Sequence, residues 1–187
     1  HTNIVLMKDD YEFEVLGKTL DDAIGEAFDK VARVLGLKYP GGPNVEKLAL
    51  DGKNTYKLGK VHVDNYDLSY SGLKSSVINL VHNETQRGNE IRKSDLACTF
   101  QEIAIKQLVD KTNDIKNLIV AGGVSANKYL RSELTKLCNE LNVNLAIPEF
   151  KYCTDNAAMI GAAAYPLFKA KKFADYSLNA SSSDNLF

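Results

Sequence analysis

Gly122-Gly123 stands where an apolar run, Leu118–Ala121, gives way to a helix-like stretch that Ser125 can cap. A strand that ends in glycines and enters a helix aims free backbone N–H groups and a positive dipole end at one point, where anions and above all phosphates bind. Glycine lets a ligand come close to the backbone. Asn127 falls in the first helical turn, from which its amide can read a base or a ribose. Taken alone, a glycine pair after a strand is more often a plain turn, and such an amide is more often solvated.

Other candidates are weaker singly. In Tyr39-Pro40-Gly41-Gly42-Pro43, two prolines bound a rigid turn, and Gly42 can let a nucleoside pack flat on the backbone. The plainer alternative is a helix stop. Asp22, Glu26 and Asp29 form a stripe on one helix, with Glu26–Lys30 and Asp29–Arg33 as i,i+4 pairs. A solvated face explains that stripe, and a functional Asp29 would accept hydrogen bonds from a ribose diol. Asp155 can stabilise a helix start or ligate a metal. A single carboxylate cannot hold a catalytic metal, which usually takes three protein ligands. His1, His62 and His82 make no HxxxH or HxxH pair, so any metal site is expected to be completed from outside the chain. Lys169–Lys172 can touch phosphates of a nucleic acid or simply complement a helix C-terminus.

The elements that must position these residues follow from the patterning. Asn3–Met7 and Phe13–Leu16 predict a hairpin turning at Lys8-Asp9-Asp10. A helix capped by Thr19 runs through Leu20, Ile24, Phe28 (or Ala27), Val31 and Leu35 to a C′ glycine, Gly36. Asp51–Tyr66 reads as a loop with one strand near Lys60–Val63. Leu68–Ser71 reads as a short strand turning through Gly72-Leu73-Lys74 into a helix that ends at Val81, and His82–Glu90 reads as a loop. Lys93–Lys111 predicts a long helix with Leu96, Phe100, Ile103, Ala104 and Leu108 on one face. Asn117–Ala121, a helix to Leu141 and a strand Val143–Ile147 form a βαβ crossover. Thr154 or Asp155 caps a last helix that Pro166 kinks or ends, and the tail Asn179–Phe187 is expected to fray.

Bulk properties set the frame. The 187 residues suit one domain or two small lobes, with 44% apolar and 25% charged residues and a net charge of −1. That charge gives no global footprint for nucleic acid. Three separated cysteines, Cys98, Cys138 and Cys153, read as reduced thiols of a cytoplasmic protein. No run of about 18 apolar residues and no signal peptide is visible, so no membrane association is expected. A chain beginning at His1 without methionine is expected to be a processed or truncated piece.

Five motifs then occur in order: Thr19–Lys30, Tyr39–Pro43, Tyr70–Lys74, Gly122–Asn127 and Thr154–Ile160. Together they resemble the tRNA threonylcarbamoyl transferase family (TsaD type, formerly labelled O-sialoglycoprotein endopeptidase), and the likeness extends from His1 to about Lys172. It implies an α/β fold: a ribonuclease-H-like C-terminal lobe of the actin-like ATPase superfold, with a mixed sheet and flanking helices. It also implies that Asp29, Gly42, Glu46 and Asn127 contact the adenosine of a nucleotide or of threonylcarbamoyl-adenylate, that Gly122-Gly123 lies near its phosphate, and that Asp155 is one ligand of a divalent metal, iron or zinc. The family's Ser-Gly-Gly before His-Thr, its HxxxH pair and its N-terminal lobe are not in this chain. Tyr70 where phenylalanine is usual and Gly161 where alanine is frequent are minor departures.

The implied reaction is acyl transfer from threonylcarbamoyl-adenylate to N6 of the adenosine beside the tRNA anticodon. It takes place with TsaB- and TsaE-type subunits if the protein is bacterial. The metal would position the acyl group, and no side chain stands out as a nucleophile or base. On this reading the chain alone is inactive and exposes apolar surface that favours a homo-oligomer. Two alternatives are a metallopeptidase, which lacks an HExxH-type base here, and a non-catalytic nucleotide-binding module that docks partners.

Overall fold

The structure is a computed structural model describing residues 1–59, 62–112 and 115–179. The hairpin forms as β1 (Asn3–Asp9) and β2 (Glu12–Lys18), antiparallel and longer than predicted, with Tyr11 in the left-handed region at the turn. The predicted crossover forms too: β3 (Asn117–Ile119) and β4 (Asn144–Ala146) pair in parallel across α5 (Lys128–Leu141). The expected single mixed sheet does not form among the described residues. The strands make two separate two-stranded sheets. A cavity of about 260 Å³, lined by Thr2–Val5 on one side and Leu118–Val120 on the other, lies where the sheets would join.

Helices supply the core. α1 (Ile24–Val34) closes on Gly36 as predicted, with φ +75° and its N–H on Arg33. Its start is later than the periodicity implied. Thr19 does not cap it: the Thr19 hydroxyl donates to the Asp22 carbonyl, and Thr19 forms an isolated bridge with Leu68. The predicted strand at Leu68–Ser71 reduces to that bridge. The segment Tyr39–Pro43 is not a free-standing turn, because α2 (Gly41–Ala49) begins inside it after a cis Tyr39-Pro40 bond. α3 (Ser71–Gln86) absorbs the predicted Gly72–Lys74 turn and runs past Val81 until Gly88, at φ +75°, ends it.

α4 (Lys93–Val109) is the centre of the molecule. Its predicted stripe is buried at Leu96, Phe100, Ile103 and Ala104, but Ala97, Cys98, Thr99, Gln101 and Ile105 are buried as well. The helix is enclosed by α2, α3 and α5, and Phe28 of α1 meets Phe100 edge to face at 5.0 Å. Over it lies a polar strap. Lys53 N–H and the Thr55 hydroxyl donate to Asp95 at 2.9 and 3.2 Å, and Tyr56 N–H donates to Thr99 at 3.3 Å. Gly52 is required there, since a Cβ would sit 2.0 Å from the Ser94 carbonyl. Lys60 and Val61 of the predicted strand, and most of the tail, lie outside the described residues.

α6 (Ala157–Lys169) starts on neither Thr154 nor Asp155. Asn156 caps it, accepting from Met159 N–H at 3.0 Å. Pro166 does not end it. The helix runs on to Lys169, and the bond lost is the one to the Ala162 carbonyl, on a stretch that is exposed. α6 buries none of its residues and leaves Ile160, Tyr165 and Phe168 exposed. Among the described residues no helix is long and apolar enough to cross a membrane.

Two outcomes follow from the joint between α1 and α3. Burial opposes the charge of Asp21, but Ser69, Ser71 and the N–H groups of Tyr70 and Ser71 donate to it, lowering its pKa from 3.8 to about 2. Because the folded value lies below the unfolded one, this stabilisation is complete above about pH 4 and is lost as pH falls towards 2. Asp21→Asn is expected to flatten stability between those pH values in denaturant melts; an unchanged acid limb would contradict it. Tyr70 is fully buried, and its hydroxyl has no partner among the described residues. Tyr70→Phe is therefore expected to leave stability equal or to raise it, by up to roughly 1–3 kcal/mol, with a lower melting temperature as the contrary result.

Candidate functional site

Asp29, Gly42, Glu46, Gly123 and Asn127 come from α1, α2, the glycine turn and the start of α5, and they line one cavity of about 490 Å³. Pro40, Pro43 and Phe28 form part of its apolar wall, and Thr154 closes one edge. Gly122 and Asp155 are not in this cavity. They line the adjoining groove of about 960 Å³ at the ends of β3 and β4, which shares Gly123 and Thr154 with it. The two spaces therefore meet at the turn and at the loop before Asp155.

The carboxylates are fixed by helix starts. Asp29 accepts the Gly41 N–H at 2.8 Å, so it serves α2 and does not pair with Arg33 as the i,i+4 spacing predicted. Its second oxygen accepts nothing from the described residues. Glu46 accepts the first N–H of α5, from Lys128, through one oxygen, and its other oxygen is likewise unclaimed among the described residues. Each acid thus sits at the positive end of a helix dipole and keeps one acceptor open to ligand. Asp22 lies before α1 and belongs to a different arrangement, an ion pair with Lys30 and with Lys74, the latter at 2.6 Å.

The turn differs from its predicted form. Gly122 has φ +91° and ψ 170°, a backbone region essentially reserved for glycine. A single 3-10 turn, Gly123–Ala126, follows before the α-helix begins. Ser125 is inside that turn, 1% exposed, with its hydroxyl unpartnered among the described residues. Asn127 takes the capping role expected of Ser125. Its side-chain Oδ1 accepts Leu130 N–H at 2.8 Å, and its Nδ2 donates to buried Gln101 at 2.9 Å. The side chain expected to read a base thus also holds the turn against α4. Asn127 is 8% exposed at the cavity wall. Gln101 gave no sign of this part in the sequence, being one of several polar residues in α4.

The glycines separate by what surrounds them. A Cβ at Gly41 would lie 2.6 Å from Asp29 Cα, whereas Cβ atoms at Gly42 and Gly123 would meet nothing within 4 Å. Gly41 is needed for packing; Gly42 and Gly123 are open faces of the cavity.

Asp155 is exposed in the groove, and among the described residues no three His, Cys, Asp or Glu side chains come together to hold a metal. His1 lines the neighbouring cavity, while His62 and His82 lie elsewhere. The residues present do not fit a metal by themselves.

A sequence profile of the tRNA N6-adenosine threonylcarbamoyltransferase family matches residues 1–162. The chain belongs to that family. It is 51% identical to the Staphylococcus saprophyticus tRNA N6-adenosine threonylcarbamoyltransferase over 96% of this chain and 55% of the relative. It is 52% identical to the enzyme of that name from Caldicellulosiruptor bescii, over 92% of this chain and 53% of the relative. The Staphylococcus aureus relative is 47% identical over 100% of this chain and 57% of its own length. The chain spans about half the length of the curated relatives it matches.

The glycine geometry gives a direct check. Gly41→Ala is expected to destabilise the fold by about 1–3 kcal/mol through the forced shift against α1. Gly42→Ala is expected to be neutral or to stabilise α2 by up to about 1 kcal/mol. Equal losses in urea melts would refute the distinction.

Proposed function

We propose that the chain is the C-terminal, ribonuclease-H-like lobe of a two-lobe cytoplasmic tRNA threonylcarbamoyltransferase, and that the 490 Å³ cavity holds the adenosine part of threonylcarbamoyl-adenylate. The observation that carries this reading is the convergence of Asp29, Gly42, Glu46, Gly123 and Asn127 on one cavity in a chain of this family. A site of that volume falls in the ordinary range for small-molecule pockets.

In the proposed reaction the N6 amine of the tRNA adenosine attacks the carbamoyl carbon. A C–N bond forms, the C–O bond to the phosphate breaks, AMP leaves and the amine releases a proton. The open oxygens of Asp29 and Glu46 accept from the ribose hydroxyls. Gly42 and Gly123 let the nucleoside lie against the backbone, with the phosphate towards Gly122. Asn127 acts through the turn it fixes. This part of the chemistry is positioning of a leaving group. Asp155 supplies one ligand to a divalent metal whose other ligands lie outside this chain. Partner subunits of the TsaB and TsaE type complete the machinery. In isolation, the apolar surface of α6 favours self-association.

The test uses the full-length protein with its partner subunits. Gly42→Ala is expected to weaken AMP binding in calorimetry by about tenfold or more, the equivalent of ~1.4 kcal/mol, with the melting temperature unchanged or raised. Undiminished affinity would exclude the cavity as the nucleotide site. Asp155→Ala is expected to abolish threonylcarbamoyladenosine in digested tRNA; undiminished product would remove the metal role.

A further inference from the structure

Arg131 sits on α5, four residues after the Asn127 cap, and its Nε and Nη2 are both engaged within the chain. Nε donates to the Ser125 carbonyl at 2.6 Å. Nη2 donates to the Pro148 carbonyl at 2.5 Å and lies 3.2 Å from Cys153 Sγ. The same plane covers the Phe150 ring at 4.2 Å. One rigid fork therefore grips the last part of the glycine turn and the segment that leads from β4 to Asp155.

These two segments need such a link. The first is a single 3-10 turn that follows Gly122, and the second contains only the 3-10 turn Phe150–Tyr152. Downstream of the second, α6 buries nothing that would anchor it. The 490 Å³ cavity and the wider groove share Gly123 from the first segment and Thr154 from the second. The gap between those residues sets how a nucleotide in the cavity relates to Asp155 in the groove.

We propose that Arg131 is a positioning residue that holds the Gly122–Asn127 turn and the Pro148–Asp155 segment in one register, so that the nucleotide cavity and the Asp155 groove keep a fixed relation. The consequence for ligand binding rests on the nucleotide reading above. Lysine cannot take over, because its ammonium is a point donor and the two carbonyls and ring require a planar fork. The fork also spends little entropy per bond, since its donors are pre-arranged.

The test is made in the full-length protein with Arg131→Lys and Arg131→Met, with Val77→Ala as a control that thins the buried core in α3 away from the cavity. Amide hydrogen exchange is read by mass spectrometry, and AMP affinity by calorimetry. The expected result is faster exchange in both the 122–127 and 148–155 segments of the Arg131 variants, by about tenfold, the scale of one charge-assisted hydrogen bond. AMP affinity should fall by about the same factor. Val77→Ala should lower the melting temperature and move neither readout. Faster exchange in one segment alone, or in neither, would overturn the proposal. So would AMP affinity that tracks melting temperature across all three variants. If the unaltered protein does not bind AMP, the nucleotide reading falls, and the exchange pattern alone decides for or against Arg131.

Discussion

An α-helix opens with backbone N–H groups that it cannot satisfy itself, and at four helices of this chain a partner for them comes from far away in sequence. Ile24 N–H of α1 is taken by Thr2, Gly41 N–H of α2 by Asp29, and Lys128 N–H of α5 by Glu46. At α3, Asp21 takes the N–H groups of Tyr70 and Ser71. Each cap satisfies a donor and docks two elements at once. A single cap contributes roughly 1 kcal/mol, but here each also fixes where a helix begins relative to its neighbour. Removing one would loosen a joint, beyond the effect on a helix end.

That constraint explains which parts of the fold were legible in the sequence. Gly36 needs only its own φ to end α1, and the β-type run Asn3–Met7 needs only a partner strand close by. Both were readable from their own residues, as was the crossover through α5. Helix starts were not. Thr19, Ser125 and Thr154 or Asp155 are good local caps, yet each is displaced by a partner or a neighbour: Thr2, Asn127 with Glu46, and Asn156. α2 was hidden for a related reason. Two prolines and two glycines look like breakers, but the helix starts within them once Asp29 supplies the missing acceptor.

The site follows the same logic. Family likeness pointed to Asp29, Gly42, Glu46, Gly123 and Asn127, but it could not say how they are held. Two of them are caps that keep a second oxygen open, and the amide of Asn127 bonds at both its oxygen and its nitrogen to the chain itself. A carboxylate anchored through one oxygen has already lost its rotamer freedom before a ligand arrives, so less ordering is left to offset on binding. The same sharing means that replacing either acid would disturb both a helix joint and the cavity. Only the open glycines separate the two effects.

The two spaces that meet at Gly123 are unequal in what this chain provides. Around the cavity, acceptors, open backbone and apolar wall all come from residues of this chain, joined across long sequence distances by Glu46 and Asn127. In the groove, Asp155 belongs to no group of three His, Cys, Asp or Glu side chains that could hold a metal among the described residues. On the proposed reading, holding the adenylate is mostly local to this chain, whereas completing the metal and bringing in tRNA are not. Nucleotide affinity and acyl transfer then become separable properties, and the register between Gly123 and Thr154 is the physical quantity that couples them.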